Sequence, residues 1–271
     1  MDSIKQAVFL CGGLGKRLRP ITNTVPKPMV PINGKPFLYY LLKQLSDNGI
    51  ERFLLLTGYK GDQISNYFGD GKKWGWEISY SHGSVEWSTS RRVWEARDKI
   101  DPYFLLSYSD NFLQINLEDL YDRWFKNNSI LTAHIFEKKK GNVIINDDHL
   151  NCYYNYKNQQ KVKRFVELGY ILSHKRNLLR EMTKMENFPN MCFSEVIKNI
   201  SIKKRFSGII IKDQYHSVSD LIRLDLTRKY LTPKRIILID RDGTINEKAE
   251  KGKYITSWDQ FKFIEKNIEG L

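Results

Sequence analysis

The chain has 271 residues, 41% of them hydrophobic and 13% aromatic, which is enough for one large α/β domain and a smaller second unit. Its formal net charge of +13 favours polyanionic ligands such as nucleotides and sugar phosphates. The basic runs at 138–140 and 203–205 lack the interleaved aromatic residues of a base-stacking surface, so no nucleic acid partner is expected.

Short apolar runs alternate with amphipathic stretches along the chain, a pattern typical of βαβ units and a largely parallel sheet. The segment 141–173 is rich in β-prone residues, and we expect it to add strands that wall a substrate pocket. In chain order, the pattern predicts strands at 7–11, 52–57, 103–107, 130–136, 143–145, 162–166, 170–172 and 206–211, and helices at 36–48, 62–68, 117–126, 176–185, 194–200 and 220–230.

A new pattern begins after Thr232 and Pro233, where an apolar run at 235–239 predicts another strand. We therefore place a domain boundary near residue 231, which divides the chain into 1–231 and 232–271.

The cysteines at 11, 152 and 192 show no C-x-x-C spacing, which favours a reducing compartment and argues against a structural zinc site. The N-terminus shows no leader with a cleavage site, and the apolar runs are too short for a bilayer span. We expect a cytoplasmic protein without stable membrane insertion. Its oligomeric state stays open, a homo-oligomer included.

The most informative segment follows the first strand and reads LCGGLGKRLRP at 10–20. Its glycines let the backbone approach phosphates closely and turn amide donors toward anionic oxygens. Arg17 follows where its guanidinium can clamp triphosphate oxygens through paired hydrogen bonds. The spacing matches neither the dinucleotide-binding fingerprint nor the P-loop.

Lys27 lies between two prolines, Pro26 and Pro28, which fix the local backbone and hold the ammonium group. A fixed lysine beside a phosphate-binding loop can neutralise the charge that develops during phosphoryl transfer.

Together, the segment 10–36 resembles the opening of the sugar nucleotidyltransferase family, the pyrophosphorylases that make activated nucleotide sugars. The resemblance extends to about residue 230 and implies a Rossmann-like α/β/α domain with a mixed, mainly parallel sheet. It also implies transfer of a nucleotidyl group from a nucleoside triphosphate to a sugar 1-phosphate, with release of pyrophosphate. By this likeness Arg17 holds the β- and γ-phosphates, Lys27 stabilises the α-phosphate region, and the nucleotide-binding residues are Leu10, Cys11, Gly12, Gly13, Gly15, Arg17, Lys27, Ser88 and Thr89.

Members of this family carry a carboxylate just after a central strand, and Asp110 supplies one here. A carboxylate in that place suits Mg²⁺, which spreads the charge of the leaving pyrophosphate. The resemblance therefore implies Mg²⁺ as cofactor, with Asp110 joining Arg17 and Lys27 as catalytic residues. Ser217 stands where the family has a second metal carboxylate, and Asp220 is either the second metal ligand or the N-cap of the following helix.

Two further segments depart from the family pattern. The glycine-rich turn that meets the nucleobase reads EWSTSRR at 86–92, and the bulky Arg91 leaves the choice of base open. The segment 166–170 resembles the one that contacts sugar hydroxyls, which makes Glu167 and Gly169 candidate substrate-binding residues. Lys157 is the candidate for the lysine of the family's Glu-Lys pair.

The segment ILIDRDGTIN at 237–246 resembles the start of a haloacid-dehalogenase-type phosphatase, of the heptose bisphosphate and histidinol phosphatase branch. By that likeness Asp240 would attack phosphorus and Asp242 would act as acid and base. We expect 232–271 to be an incomplete, inactive fragment of this second α/β domain. The fusion favours heptose 1-phosphate as acceptor and GTP as donor, for nucleotide-sugar supply to surface glycans.

Two alternatives stay open. A cytidylyltransferase for phosphocholine or another small phosphorylated alcohol shares the opening motif. Its choline cage would draw on Trp74, Trp76, Trp87 and Trp94. A non-catalytic nucleotide-binding module would keep the loop without turnover.

Overall fold

The computed structural model describes residues 4–145, 152–154, 163–233 and 238–269. The chain folds into two units, Met1–Leu231 and Thr232–Leu271. The strands of the first unit are β1 (Gln6–Cys11), β2 (Pro31–Ile32), β3 (Lys35–Pro36), β4 (Arg52–Thr57), β5 (Glu77–His82), β6 (Tyr103–Tyr108), β7 (Asn111–Phe112), β8 (Leu131–Glu137), β9 (Val143–Ile145), β10 (Cys152–Tyr154), β11 (Arg164–His174), β12 (Phe206–Ile210) and β13 (His216–Ser217). Its helices are α1 (Phe37–Asp47), α2 (Gly61–Phe68), α3 (Thr89–Glu95), α4 (Leu117–Lys126), α5 (Lys175–Met182), α6 (Phe193–Ile202) and α7 (Leu221–Leu231).

The central sheet has the strand order β10-β9-β11-β6-β1-β4-β5, and β8 joins it by pairing with β11 and β12. Parallel pairs connect β6, β1, β4 and β5 in turn, and β12 is parallel to β8. Antiparallel pairs surround β11, which borders β6, β8 and β9. The sheet is therefore mixed, and the predicted Rossmann-like α/β/α fold is confirmed for the first unit.

Strand β1 shows why this unit has three layers. All of its residues are buried, and alternate side chains point to opposite faces of the sheet. Ala7 and Phe9 pack into the core formed with α1, α2, α4 and α7, whereas Val8 and Leu10 pack into the core formed with α3, α5 and α6. A strand with helices on both faces is a continuous apolar run, which is the pattern that predicted it.

Most of the predicted elements are confirmed, and β4 and α4 have the predicted bounds. The sequence prediction missed β5 and α3. Strand β5 forms the edge of the sheet, and Ile78 is its one buried residue, so the strand lacks an apolar run. Helix α3 is short and begins at a polar cap, Ser88, whose Oγ accepts a hydrogen bond from the Arg91 amide at 3.2 Å.

One sequence prediction of the middle segment is wrong. The separate strands expected at 162–166 and 170–172 are parts of the single strand β11, with residue 162 outside the described residues. Its register shifts against β8 between Glu167 and Ile171, and Gly169 in between has φ of +78°. A bulge allows the chain to kink without leaving the sheet, which a pattern with a fixed period of two residues does not anticipate.

The second unit has the short helix α8 (Glu265–Ile268) and isolated bridges that join Asn246 to Asp242 and to Phe263. The described end of the strand predicted at 235–239 is not a strand, and Leu238 there is 93% exposed. Residues 235–237 lie outside the described residues. A buried strand needs neighbours on both faces, and the described part of this unit supplies no sheet around Leu238. The phosphatase assignment stays a prediction.

Candidate active site

A cavity of about 460 Å³ opens at the carboxyl ends of β1 and β6. Ligands of open α/β sheets bind outside the carboxyl ends of the strands, so this is the expected place for a substrate. The cavity is lined by Leu10, Cys11, Gly12, Gly13, Gly15, Lys16, Arg17, Lys27, Pro28, Val85, Trp87, Thr89, Arg92, Tyr108, Ser109, Asp110 and Ser219.

The glycine loop folds back onto the segment that carries Lys27. Gly15 has φ of +61°, and a Cβ there would meet Thr22 Cγ2 at 3.0 Å and Lys27 Cβ at 3.1 Å. Thr22 Oγ1 fixes this approach by donating to the Gly15 carbonyl at 2.9 Å. Gly15 is therefore needed both for its backbone conformation and for the close approach of Lys27. The exposed Arg17 follows in the turn Lys16–Leu18 and lines the cavity.

Lys27 and Asp110 meet in the cavity, as a pair of charged side chains from segments far apart in the chain. Lys27 Nζ donates to Asp110 Oδ2 at 2.7 Å, and both side chains are largely buried. The other carboxylate oxygen, Asp110 Oδ1, is buried and has no hydrogen-bond partner among the described residues. A buried carboxylate oxygen needs a partner, and a hard cation is one that suits it.

Glu167 lies behind the cavity wall, beneath Tyr108. The pKa of Glu167 is raised to about 7, chiefly by burial. The hydrogen bond that its carboxylate accepts from the Gly169 amide lowers the pKa, and the nearby charge of Asp110 raises it. The pKa of Tyr108 is raised well above its ordinary value, first by burial and then by the charge of Glu167. A Cβ on Gly169 would overlap the Tyr108 ring, so this glycine gives room to the tyrosine that lines the cavity.

The residues of the predicted base-contacting turn divide between two tasks. Ser88 caps α3 and donates to the Pro189 carbonyl at 3.1 Å, whereas Thr89 lines the cavity and accepts from the Phe193 amide at 2.7 Å. The arginine of this turn that lines the cavity is Arg92. Successive residues of a helix point about 100° apart, and Arg91 is not among the lining residues but packs over the Trp87 ring at 4.9 Å.

Asp220 caps helix α7. Its Oδ1 accepts from the Arg223 amide at 2.9 Å, and its Oδ2 lies 3.6 Å from Arg223 Nε. These contacts hold the pKa of Asp220 below its ordinary value, chiefly through the hydrogen bond from the Arg223 amide. Ser217 is buried on β13, and the residue of this segment that lines the cavity is Ser219. Within the described residues, no group of three or more His, Cys, Asp or Glu side chains is arranged to hold a metal ion.

The remaining candidates come from several parts of the chain. Lys157 belongs to the stretch outside the described residues. Of the four tryptophans considered for a choline cage, Trp87 lines the cavity. Trp74 and Trp76 stack on each other at 5.2 Å, and Trp94 packs against Phe188 at 4.8 Å. In the second unit, Asp240 is exposed and Asp242 pairs with Arg241 at 2.8 Å.

Sequence reasoning missed several lining residues. Tyr108 and Ser109 directly precede Asp110 at the carboxyl end of β6, so their position alone signals them. Val85, Arg92 and Ser219 come from other segments and carry no local motif. Only the folded chain brings them to the glycine loop.

The segment that carries the glycine loop, Lys27 and Asp110 matches a known family. The model of the nucleotidyl transferase family matches residues 6–168. The chain belongs to this family.

Relatives of the chain are named for different sugar phosphates and nucleotides. It is 33% identical over 150 residues to D-glycero-alpha-D-manno-heptose 1-phosphate guanylyltransferase of Aneurinibacillus thermoaerophilus, over 54% of this chain and 65% of the relative. It is 37% identical over 118 residues to the UTP--glucose-1-phosphate uridylyltransferase AglF of Haloferax volcanii, over 44% of this chain and 48% of the relative. The matches span about half to two thirds of the length of such relatives.

A solved structure shares the fold. HddC from Yersinia pseudotuberculosis superimposes with a TM-score of 0.69 at 21% identity, over 84% of this chain and 100% of that one. None of the helices among the described residues is both long and apolar enough to cross a membrane.

Proposed function

We propose that this protein transfers a nucleotidyl group from a nucleoside triphosphate to a sugar 1-phosphate and releases pyrophosphate. The observation that carries the proposal is the contact between Lys27 and Asp110 within the cavity of the glycine loop. A fixed ammonium beside a carboxylate with a free oxygen can stabilise a triphosphate in two ways. The ammonium neutralises phosphate oxygens, and the carboxylate holds their metal ion.

The reaction is an in-line displacement at the α-phosphorus. An oxygen of the acceptor phosphate forms the new bond, and the bond from the α-phosphorus to the oxygen of the β-phosphate breaks, so that pyrophosphate leaves. A phosphate monoester has a second pKa of about 6 and is mostly a dianion at neutral pH, so no general base is required. Arg17 and the loop amides hold the β- and γ-phosphates, and Lys27 stabilises the charge on the α-phosphate oxygens.

Asp110 would hold Mg²⁺, because its buried Oδ1 lacks a partner among the described residues and Mg²⁺ commonly takes one or two carboxylates together with substrate phosphates. When bound, the ion would neutralise phosphate charge. Lys27 would then exchange part of its contact with Asp110 for the phosphate. Asp220 is the weaker candidate as a ligand, since its carboxylate already caps α7.

For the substrates, we propose heptose 1-phosphate and GTP, in the cytoplasm, in supply of surface glycans. Two curated relatives bear the name of a heptose 1-phosphate guanylyltransferase, the second from Campylobacter jejuni at 37% identity over 115 residues. The phosphatase-like segment at 237–246 agrees with such a substrate by analogy. Glu167 and Gly169 would act on the sugar side through Tyr108, and Lys157 stays a candidate there.

The test is pyrophosphate release with Mg²⁺, in a matrix of GTP, CTP, UTP, ATP and dTTP against several sugar 1-phosphates and phosphocholine. We expect release with one triphosphate and a sugar 1-phosphate. Release with phosphocholine instead would favour the cytidylyltransferase alternative. Nucleotide binding without release for any acceptor would favour the non-catalytic module.

A further inference from the structure

Arg92 is a buried cation that the proposed reaction does not use. Arg92 belongs to helix α3 and is only 4% exposed. The guanidinium donates to the carbonyls of Thr57 and Ser84, each at 2.6 Å, and more distantly to that of Gly12 at 3.5 Å. No carboxylate of the described residues forms an ion pair with it. A buried charge without a counter-charge is costly, so an anionic or acceptor-rich ligand would be the missing partner.

The backbone around Arg92 leaves space for its guanidinium. A Cβ on Gly12 would overlap the guanidinium, and a Cβ on Gly58 would lie 2.6 Å from Arg92 Nη2. Both glycines follow the carboxyl ends of neighbouring parallel strands, β1 and β4. The Arg92 guanidinium therefore occupies a space that two glycines leave open at the carboxyl ends of β1 and β4.

The two ends of the glycine loop carry different chemistry. The Gly15 end contacts Lys27, which pairs with Asp110. The Gly12 end contacts Arg92, which also holds the carbonyl of Ser84. Val85 follows Ser84 and lines the cavity together with Trp87 and Leu10. Apolar and aromatic walls suit the faces of a base, whereas the Lys27 end suits phosphates.

We propose that Arg92 reads the nucleobase of the bound triphosphate and selects oxo bases, meaning those with an oxo group at C6 of a purine or at C4 of a pyrimidine. This inference rests on the proposed nucleotidyl transfer. A guanidinium only donates hydrogen bonds, and the contacts to the three carbonyls use three of its five N–H groups. It therefore pairs with O6 and N7 of guanine, or with O4 of uracil or thymine, and disfavours the amino groups of adenine and cytosine. Guanine is the best fit, because it offers two acceptors to the planar fork.

The first experiment measures equilibrium binding of GTP, UTP, dTTP, ATP and CTP by calorimetry, with Mg²⁺ and without acceptor. We expect the oxo bases to bind about 10-fold or more tightly than ATP and CTP. Arg92→Lys keeps the charge but loses the fork, so this preference should shrink to within about threefold while phosphate binding persists. Arg97→Lys is the matched control, because Arg97 packs over the Trp94 ring away from the cavity.

A second comparison uses the unaltered protein, which keeps the test valid if Arg92→Lys does not fold. Inosine triphosphate keeps O6 and should bind like GTP, whereas 2-aminopurine riboside triphosphate lacks O6 and should bind about 10-fold more weakly. If UTP is the preferred nucleotide, its partner in this comparison is 4-deoxyuridine triphosphate.

Four results would overturn the assignment of Arg92. One is a preference of the unaltered protein for ATP or CTP, and another is equal binding by the matched analogues. The third is an equal loss of affinity for all five nucleotides in Arg92→Lys, the sign of a purely structural role. Base selection without pyrophosphate release would instead contradict only the proposed function, and the fourth result, release without an effect of Arg92→Lys on selection, would contradict only the assignment of Arg92.

Discussion

The two ends of the glycine loop differ in how the chain builds them. The Gly15 end joins a continuous segment, 10–27, to one aspartate at the end of a strand, and every charged group there belongs to a recognisable motif. The Gly12 end joins the loop to residues of two other segments, Ser84 and Arg92, without a local motif. The comparison teaches that the phosphate-binding end is encoded locally and the opposite end by the tertiary fold. On this account, chemistry depends on the first end and substrate choice on the second.

The largest expected effect is on turnover, from Lys27→Ala at the Gly15 end. Loss of the fixed ammonium removes charge stabilisation from the α-phosphate, so kcat should fall about 100- to 1,000-fold. Steady-state pyrophosphate release measures it. Lys35→Ala is the matched control, since Lys35 is exposed and packs over the Tyr39 ring. A Lys27→Ala enzyme within about threefold of the unaltered one would refute the catalytic role of this end.

The second prediction concerns Glu167 beneath the cavity wall and its effect on stability. Its pKa is raised by burial from 4.5 to about 7, so the folded chain favours the neutral carboxyl. Its contribution to the free energy of unfolding is therefore full below pH 4.5, declines as the pH rises toward about 7, and stays lost above that. The decline is on the order of 3 kcal/mol.

Urea unfolding at a series of pH values measures this decline, and Glu167→Gln should flatten it because the amide does not titrate. An equal slope in both proteins between the two pKa values would show that Glu167 ionises freely in the fold.

The third prediction is at the Gly12 end. Gly12→Ala would force its Cβ into the Arg92 guanidinium and should lower the free energy of unfolding by about 1–3 kcal/mol. Gly13→Ala is the neighbouring control, since a Cβ there meets nothing within 4 Å. Chemical denaturation compares the two. Equal stability of both variants would mean that the loop does not depend on Arg92, and the comparison of the two ends would fail.

The smallest effect separates the two roles considered for Asp220. Asp220→Ala removes the cap of α7 and should cost about 1 kcal/mol of stability, which Asp220→Asn should largely restore. Because the cap needs only an acceptor oxygen, Asp220→Asn should also keep turnover and its dependence on Mg²⁺. A strong loss of activity in Asp220→Asn at unchanged stability would instead identify a metal ligand.

Much of the fold was predictable, because β1, β4 and β6 are continuous apolar runs and α1 and α4 have clear periodicity and caps. The bulge at Gly169 was not predictable, because a bulge breaks the regular two-residue period of a strand. The edge strand β5 was not predictable either, because most of its residues are partly or fully exposed. In the site, Lys27 and Asp110 could each be assigned in advance through their motifs, although their contact could not. The place of Arg92 in the cavity could not be predicted, because it depends on where helix α3 begins.

The most direct test of the account follows the phosphorus atoms. The protein is given a sugar 1-phosphate and the triphosphate selected by the matrix, GTP first, labelled at either the α- or the γ-phosphate. Nucleotidyl transfer predicts that the α-label enters the nucleotide sugar and the γ-label leaves in pyrophosphate. A γ-label on the sugar would mean a kinase, and a γ-label released as inorganic phosphate with no labelled nucleotide sugar would mean a hydrolase. Either result would contradict the proposed function.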